Sequence, residues 1–222
     1  MNTDSIKTDE RVFSWGRFLQ MPVVGIARNI APDDLVHLMP YYEEAGLTTI
    51  EITLNSPGAE DMIALAAESY KGRLNVGAGT VCNREEAEIA VKAGAGFIVT
   101  PLMDVNIIRY CRQNNIPVFC GAYTPTEIYQ AWQAGADVVK VFPCPDIAYL
   151  SQVQAPLSKV KLLPTGGVNR HNCTEYLRQK GVAGVGCGGG LFDKELIRTR
   201  KWAALGEYFA GFAAAVRAAG QS

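Results

Sequence analysis

A chain of 222 residues that is 48% hydrophobic has the material for one sizeable core, and its net charge of -1 gives no reason to expect nucleic acid or an anionic membrane surface as a partner. No apolar run nears the roughly 18 residues of a membrane span. The polar start, Met1 to Arg11, lacks the apolar region of a signal peptide, so a cytoplasmic protein is expected.

The first candidate element is an amphipathic helix over about residues 5–20, with Val12, Trp15, Phe18 and Leu19 on its apolar side. It precedes the repeating part and is expected on the outside or at one end of the fold. An alternation of strands and helices then begins. Val23 to Ala27 is a strand, and Pro32-Asp33-Asp34 opens a helix with Leu35, Leu38 and Met39 on one side. Thr48 to Thr53 follows as a strand, then a helix from Pro57 through Met62, Leu65 and Ala66. Leu74 to Gly79 is the third strand, and Asn83 with Glu86 three residues on is a capping-box pattern. Phe97 to Thr100 leads to a helix from about Asp104 to Asn114, and Pro117 to Cys120 to one starting near Thr124-Pro125-Thr126-Glu127. Asp137 to Pro143 contains the sixth strand, followed by a helix from about Asp146 to Gln154. Lys161 to Pro164 is the seventh, with Asn169 capping a helix that ends near Gly181. After the eighth, Val182 to Cys187, the residues Trp202, Leu205, Phe209, Phe212 and Val216 form a helical stripe.

Eight strand-helix units, with turns marked by Gly46, Gly94, Gly135 and Gly181, predict a parallel sheet closed on itself. The fold class is α/β, a single (β/α)8 barrel with an N-terminal extra helix. Residues 1–22 are the helical extension, 23–192 the barrel and 193–219 the C-terminal helix of one domain. An open doubly wound sheet would need a Gly-rich turn after the first strand, and Arg28-Asn29-Ile30 is not one.

In such a barrel the active site is built from the C-terminal strand ends. Here these carry Arg28, Glu51 with Thr53, Thr80, Thr100-Pro101, Cys120-Gly121, Lys140, Thr165-Gly166-Gly167 and Gly186 to Gly190, while the strand bodies are apolar. Side chains alternate along a strand, so Val138, Lys140 and Phe142 share one face, and Thr49, Glu51 and Thr53 share another. A lysine buried on such a face loses its charge readily and becomes a nucleophile for imine chemistry. A carboxyl beside it can shuttle protons. The plainer readings are a snorkelling lysine and a structural ion pair. Arg28 suits a carboxylate or phosphate. Thr80 either binds a substrate hydroxyl or caps the next turn. Gly166-Gly167 and Gly188-Gly189-Gly190 lie where barrels bind phosphate through backbone N–H groups, or they serve tight turns only. The turn Leu54-Asn55-Ser56-Pro57 either offers an amide to the pocket or merely starts a helix. The six cysteines show no paired metal spacing and are expected as reduced thiols. His37 and His171 are expected in structural roles.

The chain resembles the class I aldolases that cleave 2-keto-3-deoxy-6-phosphogluconate, or its galactonate epimer, to pyruvate and glyceraldehyde 3-phosphate. The resemblance spans about Val23 to Phe212. It rests on Glu51-Ile52-Thr53-Leu54, Gly77-Ala78-Gly79-Thr80-Val81, Thr100-Pro101, Gly121 with Thr124-Pro125-Thr126-Glu127, Val139-Lys140-Val141-Phe142-Pro143 and Pro164-Thr165-Gly166-Gly167-Val168. It implies Lys140 as Schiff-base nucleophile and Glu51 as acid/base. Arg28, Thr80 and Thr165 would lie near the substrate, Phe142 and Pro101 would be pocket walls, and Gly166, Gly167, Gly188 and Gly189 phosphate loops. It also implies no cofactor, no metal and a homotrimer. The chain departs from the pattern at Asn55, where gluconate-type members often carry arginine, at Cys120 in place of a proline, and at Gly189 in place of a phosphate-binding serine. Those departures keep an unphosphorylated 2-keto-3-deoxy acid, 4-hydroxy-2-oxoglutarate, or a non-catalytic phosphosugar-binding barrel as alternatives.

Overall fold

The structure, a computed structural model, describes residues 13–219. Its strands are β1 (Val23–Ala27), β2 (Thr49–Thr53), β3 (Asn75–Gly79), β4 (Ile98–Val99), β5 (Val118–Ala122), β6 (Val138–Val141), β7 (Leu162–Pro164) and β8 (Val185–Cys187). Helix α1 (Trp15–Gln20) precedes β1. Helices α2 (Pro32–Glu44), α3 (Ala59–Ser69), α4 (Arg84–Lys92), α5 (Val105–Gln113), α6 (Pro125–Ala134), α7 (Ile147–Gln154) and α8 (Cys173–Leu177) follow β1 to β7 in turn. Both α9 (Lys194–Arg198) and α10 (Trp202–Ala219) follow β8.

The strands run parallel in the order β7-β6-β5-β4-β3-β2-β1-β8. The ring closes through isolated bridges, Leu162 to Val182 and Thr165 to Gly186. This is the (β/α)8 barrel expected from the sequence. Parallel strands are covered on both sides, so their residues are buried throughout and read as near-continuous apolar runs. Local signals set most helix ends. Thr124 and Glu127 form a reciprocal capping box at the start of α6, and Gly135 ends it in the left-handed region at φ +101.

Alternation divides the core in two. Ile50, Ile52, Val139 and Val141 belong to the layer between strands and helices. Val24, Phe97, Val99, Phe119, Val138 and Leu163 fill the bore together with Phe13 and Phe18. Ring pairs at 5.2 Å (Phe13 with Phe97), 5.8 Å (Phe13 with Phe119) and 5.5 Å (Phe18 with Phe119) meet edge-on, each worth about 0.5–1.5 kcal/mol beyond area burial. The Ser14 N–H donates to Asn75 Oδ1 at 2.8 Å, and Asn75 Nδ2 donates to Ser14 O at 3.0 Å and Thr49 Oγ1 at 3.0 Å. Asn75 and Thr49 begin their strands, so α1 closes the N-terminal end of the bore. The part of the expected 5–20 helix before residue 13 lies outside the described residues.

Two expectations near the C-terminus are corrected. Asn169 does not open a helix running to Gly181; α8 is five residues long and starts after Asn172. Asn172 Oδ1 accepts from Asn169 N–H (2.8 Å) and Asn169 Oδ1 from His171 N–H (2.9 Å), and these side chains hold the segment in turns. The segment 193–219 is two helices rather than one. The Thr199 hydroxyl back-bonds to Glu195 O at 2.7 Å, and Arg200 takes φ +51 between them.

Candidate active site

Glu51 lies mid-way along β2, opposite Ile26 of β1 and Gly77 of β3. Lys140 lies on β6, opposite Gly121 of β5 and Leu163 of β7. Both point into the bore. Lys140 is 2% exposed and Glu51 fully buried, and Lys140 Nζ stands 3.7 Å from Glu51 Oε1. That distance is electrostatic contact, longer than a hydrogen bond. Both Glu51 oxygens are buried without a hydrogen-bond partner among the described residues. A carboxyl so placed is costly, and such exceptions are found where a site has chemistry to do. Gly79 makes the room for it, since a Cβ there would stand 2.5 Å from Glu51 Oε1.

Burial sets the charge state of both groups. It holds Lys140 below the usual lysine range; the attraction of Glu51 opposes this and the repulsion of Arg28 adds to it. It pushes Glu51 above the usual carboxyl range, against the pull of Lys140 and Arg28. Each shift moves the pair toward the neutral amine and neutral acid. The Phe142 ring centroid lies 5.3 Å from Lys140 Nζ and forms a wall of the pocket.

Above this pair opens a cavity of about 880 Å³. Its wall includes Arg28, Lys140, Phe142 and Thr165, then Gly166 and Gly167, then Gly188 and Gly189. Gly166 and Gly167 take φ of +105 and +71, a turn that side chains other than glycine rarely make. Three expected site residues stand off this wall. Glu51 lies beneath it against Lys140. Thr80 stands behind Arg28, its Oγ1 accepting from Arg28 Nη2 at 3.1 Å. Pro101 is packed against Gly121, on the far side of Lys140's neighbouring strand. Thr80 holds φ +58, a strained region for a β-branched residue.

The sequence reading missed part of the wall. Asn29 (φ +52), Asp34, Asn169, Lys194 and Arg198 all line the cavity. Ser56 supports it from below: its Oγ accepts from Asn29 N–H at 2.9 Å and lies 2.8 Å from Thr53 Oγ1. Asn55 is exposed and off the wall. The signal that could have found α9 is Asp193, a helix-capping residue that follows the glycine loop after Leu191 and Phe192; its Oδ1 accepts from the N–H groups of Glu195 and Leu196, both at 2.9 Å. His37 stacks on Trp202 at 5.7 Å, neither histidine lines the cavity, and all six cysteines are free.

A family described as KDPG and KHG aldolase matches residues 17–208. The chain belongs to the KDPG and KHG aldolase family. A 2-dehydro-3-deoxy-phosphogluconate aldolase of Haemophilus influenzae is 33% identical over 178 residues, covering 78% of this chain and 82% of the relative. A 2-dehydro-3-deoxy-6-phosphogalactonate aldolase of Escherichia coli is 32% identical over 190 residues, covering 83% and 92%. Among solved structures, a native KDPGal structure superposes with a TM-score of 0.83 at 30% identity, over 90% of this chain and 97% of that one. A KDPG aldolase from Legionella pneumophila, with pyruvate captured as a covalent carbinolamine, gives 0.82 at 27% identity over 88% and 96%. No helix among the described residues is long and apolar enough to cross a membrane.

Proposed function

We propose that this member of the aldolase family is a class I enzyme that cleaves a 2-keto-3-deoxy-6-phospho sugar acid, gluconate or galactonate type, to pyruvate and glyceraldehyde 3-phosphate. The observation that carries the reading is the buried pair Lys140 and Glu51 at 3.7 Å on inward strand positions. A barrel that only held a phosphosugar would bear the cost of burying both groups with no return.

In the first step the neutral Nζ of Lys140 attacks the C2 carbonyl and gives a carbinolamine. Loss of water, with proton transfers by Glu51, leaves a protonated imine. Glu51, directly or through a water, then takes the proton of the C4 hydroxyl. The C3–C4 bond breaks, its electron pair enters the imine as an enamine, and the aldehyde departs. Protonation at C3 and addition of water release pyruvate and restore the amine. Arg28, bonded to Thr80 at the cavity wall, takes the substrate carboxylate in this reading, since its planar fork suits that anion. Thr165 and Phe142 bound the space around Nζ, Pro101 shapes the adjoining strand end, and the glycine loops offer N–H groups to the phosphate.

The same reading makes the chain a single barrel domain that acts as a cytoplasmic homotrimer, as the family resemblance implies; sedimentation velocity tests the trimer. The decisive experiment is borohydride reduction in the presence of pyruvate. The expected result is an adduct on a peptide containing Lys140, and an unmodified Lys140 would overturn the mechanism. Release of pyruvate from a panel of phosphorylated and unphosphorylated 2-keto-3-deoxy acids then fixes the substrate.

A further inference from the structure

The cavity wall opposite in chain order to the catalytic strands is α9, and one face of this short helix is turned to the pocket. Lys194, Ile197 and Arg198 line the cavity whereas Glu195 and Leu196 do not. Residues three and four apart share a helix face, so this is one surface and not three accidents. The face is held in place. Ile197 is buried, Asp193 caps the helix start, and Leu191 and Phe192 both donate backbone N–H to Gly188 O at 2.9 Å. The helix is therefore fastened to the glycine loop, whose residues line the same cavity.

Charge pairing singles out one residue on this face. Asp34, the acidic residue of the wall, is paired by Arg200 Nε at 3.2 Å. Arg198 lies in a bidentate fork with Glu195, at 2.9 and 2.6 Å. Lys194 has no ion-pair or hydrogen-bond partner among the described residues. The glycine loops offer backbone donors but carry no charge, and a dianion bound there by N–H groups alone would keep most of its charge uncompensated. The ammonium of a lysine is a compact, mobile charge suited to such a group.

We infer that Lys194 is a specificity-determining residue that reads the terminal phosphate of the substrate, with Arg198 set beside it. The inference rests on the functional reading above and deepens it. The distal group Lys194 selects is a phosphate monoester, in preference to an uncharged hydroxymethyl end.

The test compares kcat/KM for a 6-phosphorylated 2-keto-3-deoxy acid with that for the same acid lacking phosphate. Lys194→Ala is expected to lower the ratio of the two by about ten- to a hundredfold, the range for a lost hydrogen bond to a charged group, with the loss carried by KM. Lys194→Arg should restore most of the ratio, and raising ionic strength should erode it in the natural protein more than in Lys194→Ala. Inorganic phosphate, followed by its effect on thermal unfolding, is the second readout and needs no turnover. Its affinity should fall about tenfold in Lys194→Ala. Equal slowing of both substrates, or unaltered phosphate affinity, overturns the inference. If pyruvate is not trapped on Lys140 but phosphate binding still depends on Lys194, the functional reading fails and the anion site stands.

Discussion

The two ends of the barrel's bore are lined by the same strands and have opposite chemistry. On β6, Val138 faces the aromatic floor and Lys140, two residues on, faces the site. On β2, Thr49 is bonded to Asn75 at the floor while Glu51, again two residues on, stands without a hydrogen-bond partner among the described residues. The polar group of β2 at the floor is paired and the one at the mouth is not. The first end is the condition of the second: Phe13, Phe18, Phe97 and Phe119 keep water from reaching Lys140 from below, and the missing solvation is what lowers its affinity for a proton.

Removing the amine proposed as nucleophile is the sharpest way to break this contrast. Lys140→Met keeps the bulk of the side chain and is expected to lower pyruvate release by roughly 10⁴-fold or more, with no borohydride adduct in the mass spectrum. Glu51→Gln comes next, at roughly 10²–10⁴-fold in kcat, the range for a lost general acid/base. It also carries a signed pH prediction. Trapping of pyruvate needs the free amine, so its rate climbs with pH through a midpoint below that of an ordinary lysine. The Glu51 charge is what opposes burial there, so Glu51→Gln should move the midpoint further down. An unmoved midpoint would mean that Glu51 does not act on Lys140. At the other end of the bore, Phe119→Ala should cost about 3–5 kcal/mol in denaturant unfolding. Pyruvate should still be trapped per folded molecule, but with the pH midpoint of trapping moved up toward that of an ordinary lysine, since water admitted through the floor restores part of the missing solvation. Smallest is Gly189→Ser. A Cβ at 189 meets nothing within 4 Å, so stability should stay within about 0.5 kcal/mol of the natural protein, and the added hydroxyl should lower KM for a phosphorylated substrate by a few-fold.

The barrel and the strands that carry Lys140 and Glu51 were legible because parallel strands between glycine-marked turns leave period and breakers in the sequence. Lys140 and Glu51 stood out as charges inside apolar runs, and alternation alone sent both inward. The rest of the wall had no such contrast. Lys194 and Arg198 fall in the stretch 193–219 expected as one helix, because nothing local says that Arg200 will take a left-handed turn and split it in two. Asn169 read as a cap because its competition with Asn172 depends on a side chain-to-backbone turn rather than on pattern. The aromatic floor was partly visible as Trp15 and Phe18 on one helix side. Their partners Phe97 and Phe119 come from strands far along the chain, and a one-dimensional period carries no record of such meetings.

Between β7 and β8 the ring of strands is joined by isolated bridges and not by a continuous ladder. Both glycine loops spring from that seam, at Thr165 to Gly167 and Gly186 to Gly190. A ligand held by both loops acts as an extra cross-strand rung and draws the seam shut from above. Slowed amide hydrogen exchange along 162–167 and 182–190 on ligand binding would be its signature, so that occupancy of the pocket is felt as stiffness in the wall that encloses it.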